Sequence, residues 1–267
     1  MSTTIAVLSQ KGGTGKTTTV RTLTDVFRRV GLTVLAVDLD PQGNLSDYLD
    51  VDPDASPTIG DVLSGRATAR EAIHDGVIPA NLGLAESELA LGGKMGRELT
   101  LKKALREVAG DYDLVLIDCP PALGLLTVNA LVASEYALLS AEAQYFALQG
   151  VEQALEVIEL ARDSLNPDLQ WLGVVLNIAD MRTRHSREAF DSLRQHFGDK
   201  LIETTIRSSI AYAESAERAL SILDYRPDLG ADYLTVSDEL LKRLGLDEPR
   251  ARLGELVRAS QPAQASA

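Results

Sequence analysis

The apolar run Ile5-Ala6-Val7-Leu8 opens directly into Ser9-Gln10-Lys11-Gly12-Gly13-Thr14-Gly15-Lys16-Thr17-Thr18. A short buried strand that turns through glycines into a helix constrains the fold more than any other stretch of the chain. Gly12, Gly13 and Gly15 can take backbone angles closed to other residues, so successive N–H groups can turn toward one anion. A helix beginning near Lys16 adds the positive end of its dipole. Lys16 is placed to reach the β- and γ-phosphates of a nucleotide, and the Thr17 hydroxyl to ligate Mg²⁺. The pattern G-x-x-x-x-G-K-[ST] is met except at its first position, where Gln10 stands. A second lysine, Lys11, precedes the glycines, and phosphate binding by the loop does not require it.

The rest of the chain repeats the strand-then-helix order. Val/Ile/Leu-rich runs at 5–8, 34–37, 114–117, 137–139 and 172–176 suit parallel strands buried on both faces. Helical patterns lie between them at about 18–30, 99–108, 123–133, 146–164 and 186–197, and 232–244 follows with Gly245 as its stop. The alternation predicts an α/β fold, a doubly wound and mostly parallel sheet flanked by helices on both faces. Residues 51–98 carry Pro53, Pro57 and Pro79 and are expected to hold short helices and an edge strand. Without a repeat or long linker, residues 1–258 are expected to form one domain, with 259–267 as a frayed tail. The single cysteine, Cys119, excludes a disulfide within the chain and a cluster held by several cysteines of one subunit. It reads as a packing residue in a protein of the reducing cytosol. No apolar run approaches the ~18–20 residues that span a bilayer, and the start lacks the basic-then-apolar signature of a signal peptide. A net charge of −13 disfavours wholesale attraction to nucleic acid but leaves room for a local basic face.

In such a sheet ligands gather at the carboxyl ends of the strands. Two further segments end there in carboxylates: Val37-Asp38-Leu39-Asp40-Pro41-Gln42-Gly43-Asn44 and Leu116-Ile117-Asp118-Cys119-Pro120-Pro121. Asp118, beside a phosphate loop, is the expected Mg²⁺ partner. Asp38 and Asp40 are expected to project to opposite sides, so that only one faces the γ-phosphate and positions a water. These residues alone leave open which one.

Taken together, 11–18, 37–44 and 116–121 resemble the ParA/Soj partition ATPases of the deviant Walker A class, which also contains MinD. The resemblance covers about residues 3–245. It includes Tyr145-Phe146-Ala147-Leu148-Gln149-Gly150 before a long helix and Gly173-Val174-Val175-Leu176-Asn177 as a late strand. It implies a P-loop NTPase fold that binds ATP and Mg²⁺ through residues 11–18. It also implies a homodimer that sandwiches two ATP molecules, with Lys11 crossing to the partner's phosphates and Gly12 where the two backbones come closest. Asp40 would orient the hydrolytic water, Asp38 support Mg²⁺ indirectly, and Asn177 contact the adenine. Arg207 stands where many relatives carry a proline beside the adenine and is the candidate base contact of that loop. A family arginine implicated in DNA contact falls on Ala211 or Ser208 here, so other residues must supply any DNA face.

Met181-Arg182-Thr183-Arg184-His185-Ser186-Arg187 supplies three arginines without an acid, and Arg207 and Arg218 are expected nearby. Arg182, Arg184, Arg187 and Arg218 are therefore the candidates for phosphate-directed, sequence-indifferent binding of double-stranded DNA. Arg184→Glu is expected to abolish it and spare ATP binding. The resemblance implies a slow ATPase of chromosome or plasmid segregation, cytoplasmic and nucleoid-associated, stimulated by a ParB-type centromere-binding protein. Two alternatives share the fold. One is a MinD-like membrane-cycling ATPase, for which Leu253, Leu256 and Val257 could line an amphipathic helix over 250–258. The other is a metabolic or metal-cluster ATPase.

Overall fold

The computed structural model describes residues 2–260. Its single sheet has six parallel strands: β1 (Thr3–Leu8), β2 (Val34–Asp38), β3 (Val77–Ile78), β4 (Leu114–Asp118), β5 (Tyr136–Glu142) and β6 (Gln170–Asn177), in the order β3-β2-β4-β1-β5-β6. The helices are α1 (Lys16–Arg29), α2 (Asn44–Tyr48), α3 (Ile59–Ser64), α4 (Gly83–Leu91), α5 (Thr100–Leu105), α6 (Leu125–Ala133), α7 (Ala147–Ser164), α8 (Arg184–Phe197), α9 (Ala211–Glu217), α10 (Ile222–Tyr225), α11 (Pro227–Arg243) and α12 (Asp247–Ser260).

Strand alternation separates two cores. Ala6, Leu8, Leu35, Val37, Val115 and Ile117 face one layer, built largely from α3 to α8. Ile5, Val7, Val34, Ala36, Leu114 and Leu116 face the other, where α1 and α11 contribute Leu23, Phe27, Tyr233 and Leu240. Burial on both faces is why these strands read as continuous apolar runs. Each fully buried Leu or Phe stabilises the fold by roughly 1.5–3 kcal/mol relative to exposure. The edge strand expected within 51–98 is β3, only two residues long.

The helix at the end of the chain differs from expectation. α12 runs to Ser260, into the stretch expected to be a tail, while residues 261–267 lie outside those described. Its Leu253 is buried, and Leu256 and Val257 pack on the same core as α1 and α11. Arg250 binds Asp238 of α11 through two hydrogen bonds, and Arg252 Nη1 donates to the Val30 carbonyl. The apolar side considered for a membrane helix is thus spent on the protein's own core. Among the described residues no helix is long and apolar enough to cross a membrane.

Candidate functional site

β1 is an inner strand, and its neighbours β4 and β5 pass on either side of the loop that leaves it. That loop, 9–15, reaches α1 through two left-handed glycines, Gly13 (φ 77°) and Gly15 (φ 80°). A Cβ on Gly15 would lie 3.3 Å from the Asn177 side chain, so this glycine also lets the loop pass close to the end of β6. Beside the loop opens a cleft of about 740 Å³. Residues 11–18, Asp40, Asn177 and Arg207 line it, as do Tyr48, Tyr212 and Tyr233.

Lys16 Nζ donates to Asp118 Oδ1 at 2.9 Å, and Thr17 Oγ1 donates to Asp118 Oδ2 at 2.6 Å. Burial alone would lower the Lys16 ammonium, but the surrounding acidic groups, Asp118 foremost and Asp40 among them, hold it above its ordinary value. Burial likewise raises Asp118, and Lys16 works against that rise. On the adjacent strand Asp38 is the register partner of Asp118 and is fully buried. Burial and the Asp118 charge push Asp38 up to about 7, although Ser46 Oγ (2.7 Å), Ser46 N (2.9 Å) and Asp40 N (3.1 Å) all donate to it. Two buried carboxylates on neighbouring strands, beside a threonine hydroxyl, form an oxygen-rich donor set of the kind hard divalent cations take. Burial also raises the Cys119 thiol, in keeping with a packing role.

Asp38 and Asp40 do differ, but not by strand alternation, which puts residues two apart on the same side. β2 ends at Asp38, and the turn after it carries Asp40 to the wall of the cleft, where Oδ1 accepts from Gln42 N at 3.0 Å. Asp38 remains tied to α2 through Ser46.

Asn177 is buried, and its orientation follows from its neighbours. Ser140 Oγ donates to the Thr14 carbonyl (2.8 Å) and Thr19 Oγ1 to the Gly15 carbonyl (2.9 Å), so both hydroxyl protons are committed. Asn177 Nδ2 therefore faces both hydroxyls, at 2.7 and 3.2 Å, and among the described residues Oδ1 is left as a buried acceptor without a partner. A ligand N–H donor would satisfy it.

Arg207 lines the cleft, but its guanidinium is turned to α11: Nε donates to Asp232 Oδ2 at 2.8 Å and Nη2 to the Asp228 carbonyl. Lys11 is exposed at the rim, and among the described residues no carboxylate lies within ion-pairing distance of it.

The arginine stretch is less basic in space than in sequence. Arg182 forms a two-bond pair with Asp180 and Arg184 pairs with Glu188 at 2.6 Å, so two of the three charges are met by acids just outside the 181–187 window. Among the described residues Arg187 donates only to the carbonyls of Met181 and Arg182. A bridge between Ala179 and Arg207 brings Arg207 beside this loop, whereas Arg218 ends α9 over the Tyr225 ring. The sequence reading missed Ser46, Ser140, Thr19 and the three cleft tyrosines. Of these only Ser140 carries a local signal, a hydroxyl in the otherwise apolar strand pattern Leu138-Leu139-Ser140-Ala141.

A family model described as an AAA domain matches residues 2–171. The sporulation initiation inhibitor protein Soj of Bacillus subtilis is 37% identical over 245 residues, 88% of this chain and 97% of Soj. The chromosome partitioning protein ParA of Myxococcus xanthus is 34% identical, over 93% of this chain and 91% of ParA. A solved structure of cobyrinic acid a,c-diamide synthase from Mycobacterium smegmatis, with bound ADP and magnesium, superposes with a TM-score of 0.74 at 37% identity. That match covers 82% of this chain and 93% of the synthase. Since the model spans more than half of the chain and the curated relatives align over nearly their whole lengths, the chain belongs to the ParA/Soj family of partition-type P-loop ATPases.

Proposed function

We propose that this protein is an ATP-dependent dimerising switch in the segregation of chromosomal or plasmid DNA. As an ATP sandwich dimer it binds double-stranded DNA without sequence preference, and it hydrolyses ATP slowly until a ParB-type centromere-binding protein stimulates it. The observation that carries this reading is Lys11. The loop already has Lys16 for its own phosphates, yet a second cation stands exposed at the rim without an acid to neutralise it. A cation there offsets the charge that two triphosphates bring together when two copies meet face to face, so association depends on the γ-phosphate.

Within each copy, Lys16 and the backbone N–H groups of 12–17 hold the phosphates. Thr17 and Asp118 hold Mg²⁺, with Asp38 supporting the site from the neighbouring strand; when bound, Mg²⁺ offsets charge on the phosphate oxygens. Asp40 orients the attacking water. The unpartnered Oδ1 of Asn177 accepts from the exocyclic amine of adenine, and backbone near Arg207 closes the base end of the cleft. Arg182, Arg184, Arg187 and Arg218 are the DNA candidates, with Arg187 foremost in the arginine stretch because among the described residues it pairs with no acid. Residues 1–258 act as one ATPase unit, in the cytoplasm on the nucleoid.

The test compares wild type with Lys11→Ala for dimerisation and DNA retention, with ATP, ADP and no nucleotide, at two salt concentrations. Wild type should dimerise and retain DNA only with ATP, retention weakening as salt rises. Lys11→Ala should keep ATP binding and lose both. A mutant that dimerises normally would reduce Lys11 to a surface charge. The match to a diamide synthase favours a second reading, a metabolic ATPase. Wild-type turnover without ATP-dependent dimerisation or DNA retention would select it.

A further inference from the structure

Asp40 sits in a turn whose position depends on a helix too short to hold itself. α2 has five residues, and an isolated helix of that length has no stability of its own. Its neighbours therefore decide where it and the preceding turn lie. At its amino end the chain passes Gly43 at φ 68°, where a Cβ would stand 2.9 Å from the Ala80 carbonyl. Ser46 then joins Asp38 to the Ala80 N–H.

The carboxyl end is held through Tyr48. Its carbonyl accepts from Arg21 Nε at 2.8 Å, and the Arg21 guanidinium lies 5.4 Å from its ring centroid. The ring is almost fully buried. Its hydroxyl reaches α9, donating to the Tyr212 carbonyl at 3.0 Å and lying 2.6 Å from Ser215 Oγ. Tyr212 and Tyr48 both line the nucleotide cleft. One hydroxyl thus links α2, the helix that follows the Asp40 turn, to another wall of the same cleft.

We infer that Tyr48 is a positioning residue for hydrolysis: its hydroxyl ties the Asp40 turn to α9, so that the α9 wall of the cleft fixes where Asp40 stands against a nucleotide already seated. The inference rests on the reading of Asp40 as the residue that orients the water. Removing the hydroxyl leaves the ring, the Arg21 contacts and every phosphate contact in place. It should therefore act on the chemical step and not on binding.

The experiment measures steady-state Mg²⁺-ATP hydrolysis and ADP affinity in Tyr48→Phe, Ser215→Ala and the double variant, beside Asp40→Ala. Tyr48→Phe should lower kcat about fivefold, the factor expected for one buried hydrogen bond, with KM and ADP affinity nearly unchanged. Ser215→Ala should lower kcat through the same link, and the double variant should lose no more than Tyr48→Phe alone. Wild-type kcat in Tyr48→Phe, kcat and ADP affinity falling together, or losses that multiply in the double variant would each overturn the coupling. If Asp40→Ala is inactive while Tyr48→Phe is not slowed, only this inference falls. If Asp40→Ala turns over normally, the reading of Asp40 falls and the inference with it.

Discussion

Gly12 separates what one copy of the chain requires from what a second copy would require. A Cβ built there meets only Pro121 Cβ, at 3.7 Å, an ordinary contact, and its φ lies outside the left-handed region. Gly12→Val should therefore change the stability of the single chain by no more than about 1 kcal/mol, which moves Tm by about 2–4 °C in a protein of this size. Gly15 is the contrast. At φ 80°, with Asn177 3.3 Å from the built Cβ, any side chain pays a left-handed backbone cost of about 1–2 kcal/mol and must also displace Asn177. If two backbones meet at Gly12 across a two-fold axis, the valine enters the interface twice. Overpacking at about 1–3 kcal/mol per site then weakens association by about 30-fold or more. The assay is sedimentation with ATP and Mg²⁺ in an Asp40→Ala background, to preserve the nucleotide, alongside ADP titration. Gly12→Val should bind ADP as its parent does and remain monomeric. Association at the parent's affinity would refute the close approach, and lost ADP binding would refute the claim that the single chain tolerates a side chain there.

Three further outcomes follow from other contacts. Asp38, raised in the fold to about 7 from an ordinary value of about 3.9, contributes stability that is present below about pH 4 and lost as pH rises through about 7. The nucleotide-free protein should accordingly melt at lower temperature at pH 8 than at pH 5, and Asp38→Asn should flatten that slope; identical slopes would refute the assignment. Leu253→Ala should cost about 2–4 kcal/mol in chemical denaturation, because Leu253 of α12 is buried in the core shared with α1 and α11, and a loss below about 1 kcal/mol would mean that α12 is not packed there. Arg187→Glu should reduce DNA retention at low salt more than Arg184→Glu, whose charge Glu188 already meets, and equal effects would move the DNA face elsewhere.

Much of the fold was legible because the signals are local. Runs buried on both faces stay apolar at every position, and a phosphate loop needs glycines in left-handed conformations immediately before a helix, as at Gly13 and Gly15. β3 left little trace, since two residues carry no periodicity. α12 was half visible: Leu253, Leu256 and Val257 suggested an apolar side, but whether it meets lipid or protein is settled only by α1 and α11 being there to receive it. The arginine stretch misled for a related reason. Asp180 and Glu188 stand at the edges of the window, and only the folded loop and the first turn of α8 bring them onto Arg182 and Arg184.

The sequence by itself determined the kinds of group at each strand end and the backbone freedom of the loop between β1 and α1. Those depend on residue type and on neighbours a few positions away. Tertiary structure alone decided which groups meet. Lys16 finds Asp118 from 102 positions away, Asn177 is oriented by Ser140 and Thr19, and Tyr48 reaches α9 across more than 160 residues. Hydrogen bonds and charge pairing act over a few ångströms, so their partners are set by strand order and helix packing and not by spacing along the chain. Lys11 lies on that boundary: its place beside the glycines is written in the sequence, while its exposure without an acid is a property of the fold.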